Sequence, residues 1–240
     1  MYLNNKRVII FLFLLAILTS SCKKDNDSGI SIDWTFGFLS DSEAWTGGFA
    51  DYPNEPGVDS IYGFEFSFAG LPAPLNTFDG ALSQSGINRS DDLFMFVKRK
   101  INGLQADKYY DINIEIEIAS NAPSGAVGAG GAPGESVFIK AGATTIEPTK
   151  VLDSTSNDYR MNIDKGNQMV EGNDMKLIGN FANGTDSATY QLKILKTENP
   201  IRVRSNANGE LWIIVGTDSG FEGKSTIFYN RISVNVKQSN

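Results

Sequence analysis

The 240-residue chain has no histidine and one cysteine. Without imidazole it cannot build a Ser-His-Asp or Cys-His triad, a His-ligated zinc site or a histidine general base from its own residues. The lone thiol, Cys22, cannot close an internal disulfide. Long apolar runs are missing too: the longest, Val8–Leu18, is about half the roughly 20 residues that a membrane-spanning helix needs. After residue 30 no segment of three helical turns carries an apolar stripe at helical spacing. Bases are in the minority, 21 against 28 acids, a formal charge of −7 that repels phosphate backbones and argues against nucleic acid as a partner. Acid–base chemistry here falls to carboxylates, and the fold class to strands.

The first 21 residues read as a secretory signal. Lys6 and Arg7 precede the apolar run, and Thr19-Ser20-Ser21 supplies small residues before Cys22. Leu18-Thr-Ser-Ser-Cys22 resembles the lipobox of bacterial lipoproteins, although Leu18 stands one residue earlier than the usual leucine. The resemblance implies that Cys22 is acylated and becomes the first mature residue. Lys23–Gly29 is polar and aperiodic, so residues 22–30 are expected to form a flexible tether and residues 31–240 one domain. The tail is similar to those of Bacteroidota lipoproteins. It implies an outer-membrane lipoprotein of the cell envelope, facing the periplasm or the outside. Removing the signal leaves 28 acids against 19 bases, a net charge of −9.

The most informative stretch is Tyr109-Tyr-Asp-Ile-Asn-Ile-Glu-Ile-Glu-Ile-Ala119. Tyr110, Ile112, Ile114, Ile116 and Ile118 alternate with Tyr109, Asp111, Asn113, Glu115 and Glu117, the period-2 pattern of a strand with one buried and one solvated face. Such strands belong to antiparallel sheets with a core on one side. Further strands are expected at Trp34–Leu39, Ala44–Phe49, Ser60–Phe68, Ala81–Ser85, Leu93–Lys100, Glu135–Ala141, Tyr159–Ile163, Lys176–Phe181, Tyr190–Leu195, Ile201–Arg204, Leu211–Val215 and Ile227–Val236. Loops rich in Asn, Asp, Gly and Ser separate them. About a dozen short strands at this spacing predict a two-sheet antiparallel β-sandwich of jelly-roll type.

Four constellations are candidates for chemistry. Gly125, Gly128, Gly130, Gly131 and Gly134 miss both glycine-rich phosphate-binding patterns and read instead as a closely packed crossover. Asp218-Ser-Gly220 lacks the base that a serine nucleophile requires. The loop holding Asp218 and Glu222, and Asn88-Arg-Ser-Asp-Asp92 with Asp91 and Asp92, offer oxygens of the kind calcium takes, against the alternative of solvated turns. Glu115 and Glu117, roughly 7 Å apart by strand rise, suit either a carboxylate pair for glycoside hydrolysis or a wet face answered by Lys98, Arg99 and Lys100 on a neighbouring strand. Of the aromatics, Trp45 beside Gly47-Gly48 and Tyr52 in a proline loop are expected to be exposed and, with Tyr109, available to stack on a sugar.

Asp91–Phe96, Ala119–Gly125, Met161–Asn167 and Gly216–Gly223 resemble a family of secreted bacterial proteins and lipoproteins with no established activity. The resemblance runs over nearly all of residues 34–236. Ile101–Ile112 and the closing Ile227-Phe-Tyr-Asn-Arg-Ile-Ser-Val are similar to carbohydrate-binding jelly rolls, whose closing strand often carries a calcium-binding aspartate where Asn230 stands here. The resemblances imply a lipid-anchored, non-catalytic sandwich that binds a glycan or another envelope ligand. The alternatives are a carboxylate glycosidase using Glu115 and Glu117, or an assembly lipoprotein whose partner is another protein.

Overall fold

The computed structural model describes residues 31–239; the expected signal, Cys22 and the expected tether lie outside them. The chain runs through β1 (Ser31–Phe36), β2 (Thr46–Ala50), β3 (Tyr52–Pro53), a short helix α1 (Val58–Tyr62), β4 (Glu65–Gly70), β5 (Gly80–Ile87), β6 (Leu93–Ile101) and β7 (Tyr109–Ser120). It continues through β8 (Val137–Thr144), β9 (Lys150–Asp153), β10 (Asp158–Met161), β11 (Gly166–Asn167), β12 (Val170–Glu171) and β13 (Met175–Asn180). The last four are β14 (Gln191–Lys196), β15 (Ile201–Arg204), β16 (Leu211–Ser219) and β17 (Lys224–Gln238).

Two antiparallel sheets face each other, as the alternation predicts. One has the order β13-β8-β16-β6-β2. In the other, seven strands are arranged around β7 and β17. β17 pairs with β7 along one edge and, along the other, first with β5 and then with β1. It can serve three partners because a bulge between Tyr229 and Arg231 bends it, and the Asn230 side chain there donates to the Gly80 carbonyl at 3.0 Å. Between the sheets lies one continuous core. Ile112, Ile114, Ile116 and Ile118 of β7 meet Leu93, Met95 and Val97 of β6 and Ile213 and Val215 of β16, all fully or almost fully buried. Gln84 of β5 is buried in the same region, and its amide donates to the Gly48 and Phe96 carbonyls across the sheets at 2.9 and 3.0 Å.

The expected strand Ser60–Phe68 is divided. Val58–Tyr62 is helical, Gly63 closes the turn at φ 57°, and β4 starts only at Glu65, leaving Phe68 42% exposed on an edge strand. β6 and β7, which follow each other in sequence, enter opposite sheets, so the turn at Asn102-Gly103 is a crossover and not a hairpin. The glycine-dense segment is a close approach: a Cβ at Gly134 would lie 2.7 Å from that of Ala182, and one at Gly130 (φ 67°) 2.3 Å from the Gly220 carbonyl oxygen.

A third layer covers the outer face of the five-stranded sheet. Phe94 and Phe96 of β6, Ile214 of β16, Met175 of β13 and Ala50 of β2 project outward and are nevertheless buried, because Met161 and Ile163 from residues 145–174 pack over them. That excursion contains β9 and β10, which form a small sheet with β3, and the hairpin β11-β12.

Candidate functional site

The acidic side of β7 faces solvent on the outer surface of the seven-stranded sheet, and a groove of about 480 Å³ runs across it. Its cause is a break in the edge strand. β14 pairs with β7 from Ser120 to Glu115, and β15 pairs with it from Ile112 to Tyr109, so Thr197–Pro200 leaves the ladder opposite Asn113 and Ile114. Thr197 repairs the gap. Its N–H donates to the Ile114 carbonyl at 3.0 Å, and its hydroxyl accepts the Ile114 N–H at 3.1 Å where a strand carbonyl would stand.

Polar side chains of alternating donor and acceptor character line the groove: Asn113 and Glu115 from β7, Lys196 and Glu198 beside the break, Ser233 and Asn235 from β17, and Asp33 and Thr35 from β1. Asn235 donates to Asp33 Oδ1 at 2.7 Å and to Ser31 Oγ at 2.9 Å, and Thr35 and Ser233 pair through their hydroxyls at 3.3 Å. Among the described residues, Asn113, Lys196 and Glu198 spend no side-chain hydrogen bond within the protein, so their groups are open to a ligand. Trp34 alternates inward and packs against the core.

The predicted carboxylate pair divides across this surface. Glu115 lines the groove, whereas Glu117 and Tyr109 do not. Both carboxylates are met by one guanidinium, Arg231 Nη2, at 3.6 and 3.5 Å. The expected answering bases are elsewhere: β6 is in the other sheet, where Lys98 pairs with Glu147, Lys100 with Glu210, and Arg99 lies over the Phe36 ring. Arg231 was the missed residue: it stands on β17 directly after the bulge at which the register with β7 shifts, opposite Glu117. Tyr109 is half exposed at the strand's end, with the Arg202 guanidinium 5.2 Å from its ring centroid.

Trp45 and Tyr52, expected to be exposed, are each 1% exposed and are corrected to core. Trp45 turns in between the sheets, edge-on to Phe36 with ring centroids 5.5 Å apart. Tyr52 is enclosed by Tyr62, Phe64 and Tyr159, and its hydroxyl accepts from Lys150. Burying rings of this size is worth more than the local glycines and prolines can oppose.

A second polar site lies where the third layer meets the five-stranded sheet. Asp51, Asp92 and Asp218 converge until carboxylate oxygens of all three lie within 4.8 Å of one another. Lysine supplies the positive charge among them. Lys165 Nζ is 2.8 Å from Asp218 Oδ2 and 2.8 Å from Asp51 Oδ2, and the fully buried Lys140 Nζ is 2.9 Å from Asp218 Oδ2. Arg160 reaches Asp51, Asp92 and Asp158 at 3.3, 3.3 and 2.9 Å.

The calcium expectation is therefore corrected. Asp92 and Asp218 do come together, but around ammonium groups that would repel a divalent ion, and this donor set does not fit one. Asp91 and Glu222 stay outside the cluster; Asp91 contributes its backbone carbonyl to Gln168. Asp51 was missed because its partners are 41 and 167 positions away in sequence.

The charges differ in their proton affinities. Asp92 is pushed up to about 7, chiefly by burial; Lys165 opposes this, while Asp51 and Asp218 add to it. Burial also acts to raise Asp218, but Lys165 and Lys140 more than offset it and hold that carboxyl below the ordinary 3.8. Lys165 loses affinity to burial and regains more from Asp218 and Asp51, so its ammonium is held above the usual lysine value.

No protein-family model and no curated protein sequence matches the chain. The fold defines it as an all-β antiparallel sandwich, and it is similar at low identity to several solved structures. A carbohydrate-binding module described as recognising mannan is 15% identical over 88% of this chain and 100% of its own length, with a TM-score of 0.36. A putative sugar-binding protein from Bacteroides thetaiotaomicron is 7% identical over 85% and 91%, with a TM-score of 0.39. The enzymatically active domain of tailspike protein 4 from bacteriophage CBA120 is 11% identical over 82% of this chain, which spans only 20% of the tailspike chain, with a TM-score of 0.35.

Proposed function

We propose that this protein is a non-catalytic binding sandwich that holds a glycan strand in the groove across β7, carried on the bacterial cell envelope by a lipid on Cys22. The observation that carries the binding reading is the groove itself: a preformed channel at the strand break, where Asn113, Lys196 and Glu198 present unspent donors and acceptors beside Glu115. A polyhydroxylated ligand is the chemistry such a row of mixed polar groups matches, since every hydroxyl both donates and accepts. Affinity electrophoresis against a panel of polysaccharides tests it. Retention by at least one is expected, lost in Asn113→Ala and weakened in Glu115→Gln; no retention by any polysaccharide overturns the glycan reading. Hydrolysis of a retained polysaccharide that Glu115→Gln abolishes would instead make Glu115 a catalyst. The anchor has its own test: Cys22→Ala should release the protein from membranes into the soluble fraction, and retention would refute lipidation.

A further inference from the structure

Exposed apolar side chains gather along one edge of the sandwich. β4 closes the seven-stranded sheet on the side away from β14 and, among the described residues, pairs with β5 alone. Phe68, Phe78 (94% exposed) and Leu39 (84% exposed) flank its C-terminal end, where the Phe38 carbonyl and the Phe68 ring occupy the space a Cβ on Gly80 would need. Ile61 of α1, half exposed, flanks its N-terminal end, with Arg89 Nε donating to the Ile61 carbonyl at 3.1 Å. The backbone of β4 is open in a defined pattern. Its pairs run from Glu65 with Ser85 to Gly70 with Gly80, and in the same register the Leu71 N–H donates to the Asp79 carbonyl at 2.8 Å. Residues 65, 67 and 69 therefore also turn their N–H and C=O groups to β5, while Phe66, Phe68 and Gly70 turn theirs outward, where no strand receives them. Edge strands are ordinarily blunted by lysine, proline or an inward charge, and β4 has none of these. Its single charge, Glu65, alternates outward with Ser67 and accepts the Ser85 hydroxyl at 3.1 Å.

We propose that β4 pairs antiparallel with β4 of a second copy of this chain, about a two-fold axis at Ser67, to form a dimer with one continuous sheet. Only the outward-turned residues can exchange hydrogen bonds, which restricts the register. With the axis at Ser67, Phe66 faces the partner's Phe68 and Phe68 the partner's Phe66, giving four N–H···O bonds and two aromatic cross-strand pairs. An axis one residue earlier sets Phe68 against the partner's Phe64, whose N–H is already given to the Asp59 carbonyl. An axis one residue later sets Phe66 against the partner's Gly70 and loses an aromatic pair. In the chosen register Ser67 meets the partner's Ser67, and Glu65 faces the partner's Ala69, so no like charges oppose each other. The same axis lays the Leu39–Phe78 end of each copy alongside the partner's Ile61 end, so that the exposed apolar groups cover one another. It stands normal to the sheet, and both outer faces, with their grooves across β7, look the same way. On the glycan reading the dimer is therefore bivalent, although the pairing itself does not depend on that reading.

Sedimentation velocity of the Cys22→Ala chain, which has no other cysteine, tests the pairing. A dimer is expected by about 200 µM, where an interface of micromolar affinity is filled. Adding Phe68→Pro removes an N–H that has no partner in the single chain; it should leave the monomer folded by circular dichroism and weaken association roughly tenfold or more. Mild oxidation of Ser67→Cys in the same background should link most chains in pairs, since facing Cα atoms of such a pair lie about 4.5 Å apart. Glu65→Cys, which faces Ala69 instead, should not link. A monomer throughout the concentration series overturns the proposal. So does a dimer that survives Phe68→Pro, or equal cross-linking of Ser67→Cys and Glu65→Cys, and the cysteine pair decides even if the proline variant does not fold.

Discussion

Replacing Asp218 by Asn keeps the side chain's shape and removes one charge from the interior. The carboxylate is fully buried, and its Oδ2 takes three donors: Lys165 at 2.8 Å, Lys140 at 2.9 Å and the Gln168 N–H at 2.9 Å. Lys165 keeps Asp51 as a counter-charge. Lys140, also fully buried, keeps only the Lys165 and Val170 carbonyls, so its ammonium is left with dipoles and no anion. Deleting one partner of a buried ion pair costs about 3–5 kcal/mol, and the surviving carbonyl contacts argue for the lower end, about 3 kcal/mol. A domain of this size loses about 2–4 °C of Tm per kcal/mol, so Asp218→Asn should melt roughly 6–12 °C below the wild type. Urea unfolding at pH 6 would measure it, with an unchanged m-value showing that the native fold is retained. A loss under about 1 kcal/mol would mean that the cluster is solvated and would refute the reasoning.

Further predictions follow from other features of the structure. Asp218, held below 3.8, stabilises the fold above that pH and loses its contribution on acidification; Asp92, raised to about 7, contributes fully below 3.8 and loses its contribution as pH rises through 7. Stability by chemical denaturation should therefore peak close to pH 3.8 and decline from there as pH rises to about 7. Asp92→Asn should flatten the alkaline side by about 2 kcal/mol, a value reduced for its partial exposure; an unchanged alkaline slope would contradict this. Thr197→Val removes the hydroxyl that accepts the buried Ile114 N–H and should cost about 1–3 kcal/mol, with faster exchange of that amide; a neutral effect would show that water replaces the bond. Ile116→Ala in the core of β7 should cost about 2–5 kcal/mol in urea unfolding, and a cost near zero would place this residue outside the packed interior.

Much of the architecture was legible in local patterns. The alternation from Tyr109 to Ala119 marks β7 almost to the residue, because a strand's two faces meet different media and the side-chain period is 2. The absence of histidine likewise excludes whole classes of chemistry with no structure needed. The excursion 145–174 was less visible: the expected strand Tyr159–Ile163 overlaps β10, but β9, β11 and β12, two to four residues long, are too short for a period to register.

Pairing and burial were decided only by the tertiary structure. Which base meets Glu115 and Glu117 depends on strand order, so Arg231 replaces the nearer Lys98–Lys100. Trp45 and Tyr52 sit among turn-forming residues yet are core, because their surroundings are assembled from distant strands. Asp51, Asp92 and Asp218 look alike in sequence, as acids in loops or at strand ends. Only the docking of a third layer surrounds them with Lys140, Lys165 and Arg160, and that enclosure, through desolvation and charge, sets one carboxyl to hold its proton and another to shed it. Local sequence determined the period and the available chemistry; long-range packing determined which groups share a dielectric and therefore which of them act together.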